Sequence, residues 1–220
     1  MVLPGGVVGR ERMSCTDYYD AQAVATGWLG PEVVFGLAFE YVTPGDTLLD
    51  VGIGTGLGSL PFHKAGLRIL GMDLSDEMLK GAESKGFVSE LTKHDLTSLP
   101  YPYGDQSLDH VICVGVLQLF PSPEPVFREA SRVLRDGGVF AFTTIERDST
   151  GPAELTVGPE HTGSDETVTM YMHDAPMVRS LLLDRALTVQ RELEFVAYMD
   201  ADRKERLRAR AYLAIRSPRI

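Results

Sequence analysis

The stretch Thr47-Leu48-Leu49-Asp50-Val51-Gly52-Ile53-Gly54-Thr55-Gly56 decides the fold. Thr47 to Val51 is a short β-prone run, introduced by the turn residues Pro44, Gly45 and Asp46, and alternate glycines follow it. Glycines at a strand-to-helix turn let backbone N–H groups approach a ligand at the helix N-terminus, where side chains would block them. A helix is predicted to follow from about Gly58 to Lys64, with Pro61 in its first turns, where a missing N–H matters little.

Beyond the turn the pattern repeats, and short strands alternating with helices mark an α/β sheet built from right-handed crossovers. Arg68 to Met72 predicts the second strand, after which Ser75 can cap a helix whose first turn carries Asp76 and Glu77. Leu91 to His94 predicts a third strand, and Asp109 to Val114, apolar on both faces, a central fourth. Between them Leu99 to Ser107, rich in Pro, Tyr and Gly, reads as loop. The apolar face of Val126, Phe127, Ala130, Val133 and Leu134 predicts a helix over Glu124 to Arg135. Asp136-Gly137-Gly138 ends it and feeds a fifth strand, Val139 to Ile145. Glu146 to Met172 has no clear period and predicts a long excursion of the kind that forms lids or substrate loops. A helix over Asp174 to Leu183 and two strand-like runs, Val189 to Tyr198 and Arg208 to Ile215, close the chain. The charged Asp200 to Arg206 between them predicts an antiparallel hairpin.

Composition narrows the partners. A formal net charge of -10 in 220 residues repels polyphosphates and anionic membranes, and the best basic run, Arg203 to Arg210, is short and also carries acid. Nucleic acid and membrane partners are therefore not expected. Met1 to Gly9 lacks a preceding basic region and is broken by Pro4, Gly5 and Gly6, which predicts a frayed N-terminus rather than a signal peptide. No apolar run is long enough to span a bilayer. Cys15 and Cys113 lie far apart and in no paired metal-ligand spacing, favouring a reduced, cytoplasmic setting without a metal site.

The glycine turn suits more than one cofactor. A nicotinamide dinucleotide site needs glycines in a G-x-G-x-x-G register, and the positions that would complete it are Leu57 and Ser59. Asp73 ends the second strand about twenty residues past the turn, where a carboxylate can accept from both hydroxyls of a ribose, a geometry that dinucleotide and S-adenosyl sites share.

Leu48 to Leu60, Gly71 to Leu79, Lys93 to Pro100, Asp109 to Phe120 and Val133 to Phe142, in that order and spacing, resemble the successive motifs of class I S-adenosylmethionine-dependent methyltransferases. The likeness covers roughly Thr47 to Ile145. Within that superfamily the chain is similar to the small-molecule branch that includes the ubiquinone-biosynthesis C-methyltransferases, and more loosely to the Williams–Beuren-region methyltransferase-like proteins. The resemblance implies an α/β, Rossmann-like, doubly wound, mostly parallel seven-stranded sheet. Its order would be 3-2-1-4-5-7-6, the last strand antiparallel, under an N-terminal helical cover. A single domain is expected, divided into the cover (1–43), the cofactor-binding core (44–146), a lid or substrate excursion (147–172) and a C-terminal helix and hairpin (173–220).

The resemblance also implies roles. Asp50, Gly52 and Gly54 would lie along the methionine part of S-adenosylmethionine, and Asp73 would bind its ribose. Leu74 and Met78 would flank adenine, and Asp95 would accept from the adenine amino group, with the backbone of Leu96 completing that contact. Cys113 or Val114 would offer a carbonyl to the methionine ammonium, the Cys113 side chain being read as a small buried hydrophobe. In the region of the cover, Tyr19 is expected to touch cofactor or substrate, and Trp28 either closes the site or packs the cover.

An activated methyl mainly needs its acceptor held close, aligned and dry, so an obligatory catalytic residue need not exist. Many relatives carry a Leu-His-His-like stretch after the fourth strand, where this chain has Leu117-Gln118-Leu119. His173 and His161, in or beside the excursion, are the candidates for a base. His63 and His110 read as structural, and His94 as an edge of the adenine pocket. Tyr101, Tyr103 and Tyr171 are candidates for lining an apolar acceptor pocket. The absence of Asn-Pro-Pro-aromatic and Asp-Pro-Pro-aromatic motifs argues against the amino-group methyltransferases of DNA bases and glutamine side chains. Two readings follow. One is an enzyme, monomer or homodimer, that methylates a small uncharged or cationic metabolite and releases S-adenosylhomocysteine. The other is a cofactor-binding pseudoenzyme serving as a regulatory or partner subunit.

Overall fold

The computed structural model describes residues 15–147, 151–157, 167–199 and 206–218. Met1 to Gly9, His161 and most of the charged turn from Asp200 lie outside them. Two helices, α1 (Cys15–Thr26) and α2 (Gly30–Ala38), precede β1 (Thr47–Val51), α3 (Leu60–Lys64), β2 (Arg68–Asp73), α4 (Asp76–Ser84), β3 (Glu90–Lys93) and β4 (Leu108–Cys113). Then come α5 (Glu124–Val133), β5 (Leu134–Ile145), β6 (Glu154–Val157), β7 (Val168–Tyr171), α6 (Ala175–Leu183), β8 (Leu187–Met199) and β9 (Arg206–Arg216).

Seven of the strands form one sheet of order β3-β2-β1-β4-β5-β9-β8. Neighbours from β3 to β5 run parallel, and β9 runs antiparallel to both β5 and β8. Since β8 and β9 are the sixth and seventh strands of that sheet, the order is the expected 3-2-1-4-5-7-6. Strand alternation assigns the side chains to two cores. On one face Leu49, Val51, Met72, Phe127, Phe140, Phe142 and Tyr212 are buried, and on the other Leu48, Ile53, Phe62, Ile69, Ala141 and Leu213. Phe142 sits at the centre of the first, 4.6 Å from Phe140, 4.8 Å from Phe127 and 5.0 Å from Tyr212 between ring centroids. Burying each such ring contributes roughly 1.5–3 kcal/mol, and a well-placed pair about 0.5–1.5 kcal/mol more.

Several readings are corrected. The helix expected to reach Arg135 ends at Val133, because Leu134 turns extended and is wholly buried on the sheet, paired with Leu108. The register then shifts before His110 pairs with Val139, so Asp136-Gly137-Gly138 form a bulge within β5 rather than a helix end. The excursion after β5 is not wholly irregular, since β6 and β7 pair antiparallel within it. Tyr101, a candidate for lining an acceptor pocket, packs inside the first core. It is 2% exposed, and its N–H donates to the Glu129 carboxylate at 2.7 Å. The Arg132 guanidinium, itself bonded to Glu129, donates to the carbonyls of Tyr101 and Tyr103. These bonds staple the loop to α5, and Tyr103 packs half-buried on the first core. Among the described residues no helix is long and apolar enough to cross a membrane.

Candidate functional site

At the carboxyl end of β1 the chain must turn sharply over β2, and two N–H groups, of Gly52 and Ile53, donate to the Met72 carbonyl at 2.8 and 3.0 Å. Gly52 has a φ of +75°, and a Cβ there would lie 2.6 Å from Val116. Only glycine fits both constraints. At Gly54, φ +54°, a Cβ would meet nothing within 4 Å, so this part of the turn faces open space.

Acids surround that space. Asp50 is 2% exposed and its Oδ2 has no hydrogen-bond partner. Burial pushes its carboxyl up to about 7, a Ser59 hydrogen bond pulls it down, and the Asp73 carboxylate raises it further. Asp73 ends β2 and accepts at 2.9 Å from the N–H of Gly54 through Oδ2 and from that of Ser75 through Oδ1. Ser75 caps α4 as expected, accepting from the Met78 N–H. Beside Asp73, Leu74 is 60% exposed and Met78 half-buried. Beyond β3, Asp95 Oδ1 accepts from the N–H and hydroxyl of Thr97, both at 2.8 Å, and these bonds hold its carboxyl below the usual range. Leu96 is buried behind it. The His94 ring packs on Tyr101, its Nε2 2.8 Å from the Ser98 carbonyl. Cys113, at the end of β4, is fully buried, and burial, followed by the Asp50 charge, holds its thiol well above the ordinary value, consistent with a small hydrophobe.

The cover closes over the turn through contacts that no local pattern announces. Asp20, on α1, accepts from the Thr55 hydroxyl at 2.5 Å and pairs with Lys85 at 2.6 Å, tying α1 to the glycine turn and to the end of α4. Sequence separation of 35 residues hid the Asp20–Thr55 bond. Tyr19 is 41% exposed, yet its phenol is held above the usual range, first by loss of water and then by the carboxylates of Asp20, Asp73 and Asp50.

The histidines divide. His110 is buried beside Asp46, Nε2 to Oδ2 2.9 Å, and the His63 ring packs on Phe87. His173, read as a candidate base, is buried, and its Nε2 lies 3.1 Å from the Leu117 carbonyl. A carbonyl only accepts, so this nitrogen carries the proton and cannot take another. The stretch after β4, which lacks its own imidazole, thus receives one from 56 residues away.

A mostly parallel sheet in this order, with a glycine turn after its first strand and acids at the ends of the next two, is a Rossmann-like arrangement. Residues 49–142 match the family model described as a methyltransferase domain. Over 114 residues it is 39% identical to phosphatidylethanolamine N-methyltransferase of Cereibacter sphaeroides, covering 49% of this chain and 55% of that one. To the arsenite methyltransferase of Halobacterium salinarum it is 28% identical over 219 residues, covering 89% and 52%. The chain spans about half the length of these curated relatives. The fold is shared with a methyltransferase from Methanosarcina mazei, TM-score 0.69 at 17% identity, over 83% of this chain and 98% of that one.

Proposed function

We propose that the chain binds S-adenosylmethionine and transfers its methyl group to a small-molecule acceptor, releasing S-adenosylhomocysteine. The observation that carries this reading is the buried, unpartnered Oδ2 of Asp50, two residues ahead of a glycine turn that is open at Gly54. A buried carboxylate without a partner is costly, and a cationic ligand beside it offsets the cost. When bound, the cofactor supplies a methyl on a sulfonium, ready for in-line displacement.

The residues present fit that group. Asp50 and the carbonyl of Cys113 would hold the methionine ammonium, with Gly52 and Gly54 letting the chain approach. Asp73 keeps lone pairs for the ribose hydroxyls beyond its two backbone bonds. Leu74 and Met78 would flank adenine, and Asp95 with the Leu96 N–H would read its edge. Tyr19 and α1 would exclude water. No residue here is assigned as a base, and catalysis rests on proximity and desolvation. The acidic surface favours an uncharged or cationic acceptor. A monomer or homodimer in the reduced cytoplasm, without nucleic acid or membrane partner, completes the proposal, and 147–172 is its substrate lid. Calorimetry tests it: S-adenosylhomocysteine should bind with measurable heat, and labelled methyl should pass to a metabolite extract. Absence of heat sinks the reading, and heat without transfer leaves a cofactor-binding subunit instead.

A further inference from the structure

A second cluster lies at the carboxyl end of β5, apart from the acids. Trp28, Met170, Met172 and Phe195 pack on buried Ile145 and Ala209 while remaining partly exposed. The Trp28 and Phe195 rings lie 6.0 Å apart, tilted by 39°. Missing side chains make the seat for the indole: a Cβ at Gly30 would come within 2.2 Å of it, and one at Gly115 within 3.3 Å. Gly115 belongs to the turn after β4, held by its N–H donating to the Thr143 hydroxyl at 2.9 Å. The next residue, Val116, crowds Gly52. One turn of chain therefore has the glycine loop against Val116 and the indole against Gly115.

The wall is carbon and sulfur. On β9 the charged Arg208 and Arg210, paired with Glu194, alternate away from the face that carries Ala209. Resting on the methyltransferase reading above, we propose that this wall receives the methyl acceptor, and that the acceptor presents a neutral, flat, apolar body to Trp28 and Phe195. Rings stack on rings in offset or tilted pairs, and the two thioethers add polarisable contacts at the ring edge. Polar groups brought into the same place would lose water without a partner.

Trp28 is the single tryptophan of the chain, so its emission reports on the wall directly. With the full chain first saturated with S-adenosylhomocysteine, 4-ethylphenol is expected to change that emission saturably, and ethanolamine is not. Phe195→Ala should weaken the phenol roughly three- to tenfold while leaving the heat of S-adenosylhomocysteine binding unchanged. Phe195→Leu, which keeps bulk and loses the ring, should act in the same direction, separating ring contact from misfolding. No heat with S-adenosylhomocysteine overturns the reading beneath the proposal. Heat followed by a linear response to the phenol, or by a saturable response to ethanolamine alone, overturns the wall itself.

Discussion

Asp50→Asn should stabilise the cofactor-free protein above neutrality. The carboxyl is buried and held near 7 against an ordinary 3.8, so the folded chain keeps a proton that the unfolded chain gives up. Below about pH 3.8 both states are protonated and the advantage of the retained proton is fully present. It is lost as pH rises and is gone above about 7. At about 1.4 kcal/mol per pH unit, the loss amounts to roughly 4 kcal/mol. Asparagine escapes that loss but buries an amide without a partner, costing about 1–3 kcal/mol, so the net gain at about pH 8 is roughly 1–3 kcal/mol. For a chain of this size each kcal/mol moves Tm by about 2–4 °C, so the variant should melt roughly 2–12 °C higher. The check is a pair of melting curves without cofactor from about pH 5 to pH 8, in which the advantage of the variant must grow with pH. S-adenosylmethionine should meanwhile bind it at least about tenfold more weakly, because its ammonium has lost an anionic partner. A variant that melts below the parent at about pH 8, or a difference independent of pH, would refute the reasoning.

Asp73→Ala should weaken the cofactor roughly ten- to a hundredfold by calorimetry, from the loss of charge-assisted bonds worth about 1.5–3 kcal/mol, and unchanged affinity would show the ribose site misplaced. Gly52→Ala should lower stability in denaturant titrations by roughly 2–5 kcal/mol, combining a left-handed backbone with the collision against Val116. Adding Val116→Ala should recover only the steric part. Burial holds the His173 imidazole below its ordinary 6.5, so its contribution is present above that pH and lost as pH falls through the lower folded value. His173→Gln should flatten that acid-side loss in melts, while methyl transfer, if His173 is only a strut, persists.

Much of the fold was legible because local patterns carry it. The alternation of strands and helices, the two-faced burial of β4 and the cap at Ser75 are written in consecutive residues. Helix α5 was overextended because Leu134 fits its apolar period equally well, and only burial on the sheet, opposite Leu108, assigns it to β5. The loop tyrosines misled for a related reason. Tyr101 is drawn inside by Glu129 and Arg132, some thirty residues on, and no local rule sees that pair.

By itself the sequence determined the sheet, the glycine turn and the acids Asp50, Asp73 and Asp95, since a backbone that must approach a ligand leaves its mark on adjacent residues. Tertiary structure alone decided which of these groups stand without partners, that Asp20 clamps the cover to Thr55, that the His173 ring meets the Leu117 carbonyl, and that Trp28 rests between two glycines. Those properties belong to pairs of residues far apart in the chain, and burial, which sets their energies, exists only once the sheet has brought them together.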